Sequence, residues 1–211
     1  MKSLRAYDMS KDMIKENTHR GYPINNGNDN DLPCYTKTLD QIIDTAEHMV
    51  SKHSRVLSVR LDIHSERYSD YTLSSEDMTR IIENVKRQTD SRFKNGKNDP
   101  DLHVVWVSER KSSDDNPHYH LNIFVNGNAI QNGYLIKEAF NRAVKKKLGT
   151  DNEGLVNFSS SNGKVGKFIE RNSPDVDAQM DDAVYTASYL AKVRTKESNP
   201  KGSRVSSCTR I

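Results

Sequence analysis

The sequence predicts an α+β fold: a central, mainly antiparallel sheet of about five strands with helices packed on it. Two observations predict it. Segments that alternate apolar and polar residues are interleaved with segments of helical period, in the order helix, strand, helix, two strands, helix, short strands, helix. The two strands at 103–109 and 118–125 are joined by a short polar turn, too short for a crossover helix, so they form an antiparallel hairpin.

The elements follow from local pattern. Residues 36–51 carry Leu39, Ile42, Ile43, Ala46, Met49 and Val50 at helical spacing, with Thr36 or Thr38 as the cap. Residues 55–64 alternate, with Leu57, Val59, Leu61 and Ile63 on one face and Ser58, Arg60, Asp62 and His64 on the other. Ser74-Ser75-Glu76-Asp77 opens a second helix that buries Met78, Ile81, Ile82 and Val85 and stops near Asn95-Gly96. His103, Val105, Val107 and Glu109 share one strand face; Val104, Trp106 and Ser108 share the other. Residues 135–148 are helical by period, 155–169 read as short strands around Asn162-Gly163, and 180–193 form the last helix.

At 211 residues, 34% apolar and 29% charged, the chain supports one domain with a modest core. We place a polar arm at 1–35, expected to dock loosely, a folded domain at 36–195 and a basic tail at 196–211. The net charge of +3 is a weak pointer to a polyanion, and the clusters Arg142, Lys145, Lys146, Lys147 and Lys192 to Arg210 suit phosphate contacts or solvated faces. Cys34 and Cys208 form no Cys-x-x-Cys pair, and no stretch has the length of a membrane span or signal peptide. A reducing, cytoplasmic setting is expected.

The chemistry concentrates in two places. His118 and His120, at i and i+2 of a strand, project from the same face, and the hairpin sets Glu109 near the same end. Two imidazoles and a carboxylate leave coordination positions open on a metal, although paired strand histidines also serve as hydrogen-bonded structural groups. Asp62 is a rival third ligand. On the last helix, Tyr185 and Tyr189 stand one turn apart, about 5–6 Å between Cβ atoms, with Lys192 beyond them. Phenols are poor nucleophiles near neutral pH and need an electrophile such as a metal-bound phosphodiester, so the pattern points to phosphoryl transfer.

His118-Tyr119-His120 resembles the His-hydrophobic-His motif of the HUH endonucleases, with tyrosine in the hydrophobic slot. Tyr185-x-x-x-Tyr189-x-x-Lys192 resembles the two-tyrosine helix of their replication-initiator branch. The Val59-Arg60-Leu61-Asp62-Ile63-His64 strand and the overall size look like the inovirus-type replication proteins and the related YagK/YfjJ C-terminal domains, over about residues 36–194. The resemblance implies Mg²⁺ or Mn²⁺ held by His118, His120 and Glu109. It implies nicking of single-stranded origin DNA by Tyr185 and Tyr189, with Lys192 assisting, through a 5′-phosphotyrosine and a free 3′-hydroxyl, to initiate rolling-circle replication of a phage or mobile element.

No Gly-x-x-x-x-Gly-Lys-Ser/Thr loop is present, so a host helicase, with a host polymerase, is the expected partner for unwinding and copying. A single-strand transposase of the same chemistry and a non-cleaving origin-binding protein are the alternative readings.

Overall fold

The alternating segments join in one six-stranded sheet in the computed structural model, which describes residues 12–27, 32–64, 71–93, 98–110, 112, 115–159, 165–193, 196, 198–199 and 203–211. In chain order the elements are β1 (Met13–Ile14), β2 (Thr18–His19), β3 (Tyr22–Pro23), β4 (Cys34–Tyr35), α1 (Thr36–Lys52), β5 (Arg55–His64), α2 (Ser75–Phe93), β6 (His103–Glu109), β7 (His118–Asn126), α3 (Gly133–Leu148), β8 (Val156–Phe158), β9 (Lys167–Glu170), α4 (Val176–Ser188), a 3-10 turn (Tyr189–Ala191) and β10 (Ser206–Cys208). The sheet runs β10-β6-β7-β5-β8, antiparallel at each pairing. The outer edge of β5 is shared, β9 pairing with its first half and β8 with its second.

The two faces of this sheet have different fates. Leu57, Val59, Leu61 and Ile63 of β5 and Tyr119, Leu121, Ile123 and Val125 of β7 are buried, as alternation predicts, in the main core with α2 and α3. On the opposite face only one half is apolar. There Phe124 and Val56 pack against Ile43 and Met49 of α1 and Ala183 and Val184 of α4, and Val105 and Val107 pack with Ile42 and Leu190. Toward the other end the same face carries Arg60, Asp62, His64, Glu109, His118 and His120. Burying each large aliphatic side chain contributes about 1.5–3 kcal/mol, which favours α1 and α4 on the apolar half and leaves the polar half for a site.

Helix boundaries show where local signals held. α2 starts with a capping box: Ser74 Oγ accepts the Asp77 N–H at 3.2 Å and Asp77 Oδ2 accepts the Ser74 N–H at 3.0 Å. Tyr71 donates to the same oxygen at 2.9 Å, and Lys147 of α3 reaches Oδ1 at 2.6 Å. Burial opposes the Asp77 charge, but Lys147 and the Ser74 and Tyr71 donors outweigh it and hold the carboxyl at about 2. A depressed carboxyl stabilises the fold above its unfolded pKa of about 3.9, and that stability drains away as pH falls toward 2. Asp77→Asn is therefore expected to lose about 1–2 kcal/mol at neutral pH after solvent screening, and to flatten the acid limb of denaturant stability between about pH 4 and 2. An unchanged acid limb would contradict this.

α3 is capped by Asn132, whose side chain accepts the Tyr134 N–H, and ends at Gly149 with φ 65° and ψ 36°. A methyl group at Gly149 would meet nothing within 4 Å. Gly149→Ala should then cost only the left-handed backbone penalty, about 1 kcal/mol in thermal or urea unfolding.

Three expectations are corrected. Neither threonine caps α1: the N-cap is Tyr35 without a side-chain bond, because Thr36 Oγ1 donates instead to the Asp12 carbonyl at 3.0 Å and Thr38 is buried. The described part of the arm, 12–27 and 32–35, does not dock loosely. Ile24 and Cys34 are 1% and 0% exposed and pack with Leu39 and Ala191, while Arg20 bonds Asp44 and Glu47 on α1.

The predicted final helix ends early, at Ser188, and tightens to 3-10 at Tyr189. Beyond it Lys192 bridges to Cys34 and the Val193 N–H donates to the Pro33 carbonyl, which draws the chain out of helical geometry. The basic tail also supplies sheet, since β10 pairs with β6. The helix stop at Asn95-Gly96, the turn at Asn162-Gly163, Lys111, Ser113, Asp114 and Arg194 lie outside the described residues. Among the described residues no helix is long and apolar enough to cross a membrane.

Candidate functional site

Register builds the site. β5 and β7 pair so that Asp62 stands opposite His120 and His64 opposite His118, while β6 sets Glu109 opposite His118 and Val107 opposite His120. All the polar members lie on the sheet face that α1 and α4 only half cover. Tyr119, between the histidines, turns the other way: it is 2% exposed and its hydroxyl donates to the Leu73 carbonyl at 2.8 Å.

His120 is the hub. Its Nδ1 donates to Asp62 Oδ1 at 2.6 Å and its Nε2 lies 3.4 Å from Glu109 Oε2. The other Glu109 oxygen accepts from Lys196 Nζ at 2.6 Å, and Lys196 also donates to the Lys192 carbonyl. Burial opposes charge on His120, yet the bonds to Asp62 and Glu109 prevail and push its pKa up to about 9. Burial likewise works against the two carboxylates. His120 nevertheless holds Asp62 below the usual carboxylate range, and His120 with Lys196 holds Glu109 at about 2. Lys196 is deepest, 3% exposed, and burial draws its pKa down while Glu109 favours the ammonium.

The predicted metal ligands are brought together in part. Glu109 and His120 are neighbours, and 3.4 Å matches the separation of two donors on one ion held at about 2.0–2.2 Å. Asp62 takes the other ring nitrogen, the place of an orienting carboxylate behind a metal-bound histidine. His118 instead sets its ring edge-on to His64, centroids 4.6 Å apart. Glu109, His118 and His120 do not place all their ligand atoms within 4.8 Å of one another. The donor set is nitrogen and carboxylate oxygen, which fits Mn²⁺ or Mg²⁺ once the proton between His120 and Glu109 has left.

Both phenols avoid the core. Tyr185, on the last turn of α4, is 41% exposed. Tyr189 opens the 3-10 turn with its ring between two cations, the Arg60 guanidinium 4.2 Å and Lys192 Nζ 3.9 Å from the centroid. Arg60 is two residues from Asp62 on the same strand face, so Tyr189 sits beside the His120 chain. Burial lowers the pKa of both Arg60 and Lys192.

Next to them lies a groove of about 680 Å³ lined by Arg60, Asn122, Phe158, Lys167 and Tyr185, with Asn25 from the arm. At its floor the buried Asn122 Oδ1 and Arg60 Nε have no hydrogen-bond partner among the described residues.

Arg60 and Lys196 are the residues that sequence reasoning left without a definite role. Arg60 carried a signal, its place on the polar face of β5. Lys196 carried none, because nothing local brings it to Glu109, 87 residues away.

Comparison with known families gives one match: the model of the YagK/YfjJ C-terminal domain covers residues 14–204, taking in most of the arm and part of the tail. No curated protein and no solved structure matches the chain.

Proposed function

The chain belongs to the YagK/YfjJ C-terminal domain family, and from that footing we propose that it is a DNA strand transferase of the HUH endonuclease type. It nicks and rejoins single-stranded DNA through a tyrosine nucleophile and so initiates rolling-circle replication of a phage or mobile element. The observation that carries this reading is Tyr189, held between Arg60 and Lys192 beside the Asp62–His120–Glu109 chain, with Tyr185 exposed on the adjoining groove.

The groove suits single-stranded nucleic acid. Tyr185 and Phe158 offer faces for stacking bases, Arg60 and Lys167 meet phosphates, and the unpartnered Asn122 carbonyl accepts a bond from a base or sugar. In the reaction a tyrosine oxygen attacks the phosphorus, the bond to the 3′-oxygen breaks, the phenol proton leaves and the departing 3′-oxygen gains one. The reverse step, from a new 3′-hydroxyl, reseals the strand.

His120 and Glu109, with His118 nearby, would hold Mg²⁺ or Mn²⁺, which withdraws charge from the phosphate when bound. Arg60 and Lys192 fix the Tyr189 ring and add positive charge where the phosphodiester enters. Lys196 holds the outer oxygen of Glu109, and Asp62 orients His120.

The test is incubation with single-stranded DNA from the replication origin of the element that carries the gene, plus Mn²⁺. A covalent protein–DNA adduct that survives denaturing electrophoresis is expected; its absence on DNA that the protein binds would overturn the reading. One observation favours a second reading, binding without cleavage: both nitrogens of His120 already face carboxylates. A footprint on that same DNA with no nick is its signature.

A further inference from the structure

At the opposite end of β6 from Glu109, six residues and so about 20 Å along the strand, a second set of ligand-type side chains converges. His48 of α1, Asp101 and His103 place one ligand atom each within 4.8 Å of the others, the only such group of histidine, cysteine or carboxylate residues among those described. We propose that this cluster is a binding site for a borderline transition metal, Zn²⁺ in the first instance, independent of the chemistry at His120.

The side chains are already arranged as ligands. His103 Nε2 lies 3.2 Å from Asp101 Oδ1, the spacing of two donors sharing one ion at about 2.0–2.1 Å. The His48 ring meets the His103 ring edge-on, centroids 5.6 Å apart, so the third donor comes from the helix side. Two imidazoles and one carboxylate leave a fourth, tetrahedral position for water.

Their neighbours supply the orienting bonds. His103 Nδ1 is hydrogen-bonded to Thr209 Oγ1 at 3.1 Å, which leaves Nε2 for a metal. Asp101 Oδ2 is held by His53 Nε2 at 2.7 Å and Lys52 Nζ at 2.8 Å, so the two carboxylate oxygens divide between support and ligation. Asp101 adopts φ 44°, an uncommon conformation for a non-glycine residue, and the bonds from α1 and β6 keep it there.

The consequence is mechanical. The ligands come from α1 (His48), from the first residue of β6 (His103) and from Asp101 two residues before it, and Thr209 follows directly on β10. An ion here ties the first helix, the sheet and the C-terminal edge strand at one point. Because it binds the folded chain and not the unfolded one, it raises the melting midpoint with concentration.

The test uses the full chain carrying His118→Ala and His120→Ala, so that the other site is silent. Titration with Zn²⁺ against a chromophoric chelator should show one tight equivalent, and Co²⁺ should give the visible absorption of a tetrahedral site. Adding His48→Gln, at a partly exposed position, should weaken Zn²⁺ at least about 100-fold and remove the zinc-dependent rise in melting midpoint. Zinc affinity unchanged by His48→Gln, or no saturable Zn²⁺ or Co²⁺ binding sensitive to His48→Gln in either the parent or the His118→Ala/His120→Ala chain, would overturn the proposal.

Discussion

Replacing both Tyr185 and Tyr189 with phenylalanine is expected to abolish the covalent adduct and to cut nicking at least about 10³-fold, with DNA binding retained. The exchange removes two oxygens and keeps both rings. Tyr185 is 41% exposed, so its hydroxyl supports no core packing. The Tyr189 ring keeps its place because the cations against it, Arg60 and Lys192, act on the ring face. Binding and melting midpoint therefore serve as controls that a misfolded variant would fail. An adduct formed as well by the double variant as by the parent would refute these two tyrosines as the nucleophile, whereas undiminished nicking with no adduct would favour an unrelated metal-dependent hydrolase.

The second large effect is on stability. Lys196→Ala is expected to cost about 3–5 kcal/mol, read as a fall in melting midpoint of roughly 6–20 °C. Lys196 is 3% exposed, its ammonium lies 2.6 Å from Glu109, and it also caps the Lys192 carbonyl. Truncation removes the cation from a largely buried carboxylate and a donor from a backbone oxygen at once.

The cost belongs to the broken pair more than to the charges themselves, so removing both partners should be milder. A Lys196→Met/Glu109→Leu chain is expected to recover part of the loss, a coupling that a double-mutant cycle measures. If Lys196→Ala melts within a degree or two of the parent, the buried pair is not what holds the tail against the sheet.

How much of this was legible follows from sequence distance. The strand faces are readable because a period of two needs no partner: alternation groups Leu57, Val59, Leu61 and Ile63 on one face of β5 and turns Tyr119, Leu121, Ile123 and Val125 away from the histidines on β7, and both sets are buried. Glu109 beside His118 was readable because a short turn sets the register of a hairpin. The capping box at Ser74 and Asp77 was readable because its bonds are local. The final helix was overextended because its stop depends on Pro33 and Cys34, far away in the chain. The arm reads as loose because its composition is polar, yet two of its apolar residues, Ile24 and Cys34, are buried against Leu39 and Ala191.

By itself, then, the sequence determined the α+β class, the alternation that buries one face of β5 and β7 in the main core, and the histidines and tyrosines on which the proposed chemistry rests. Only the tertiary structure decided how those groups meet. Pairing of β5 with β7 puts Asp62 behind His120, and closure of the tail brings Lys196 to Glu109. It also turns His118 to His64 and sets the Tyr189 ring on Arg60. The physical reason is that periodicity and turn chemistry are local, whereas pairing and ion-pair partners are chosen by global burial across separations of tens of residues.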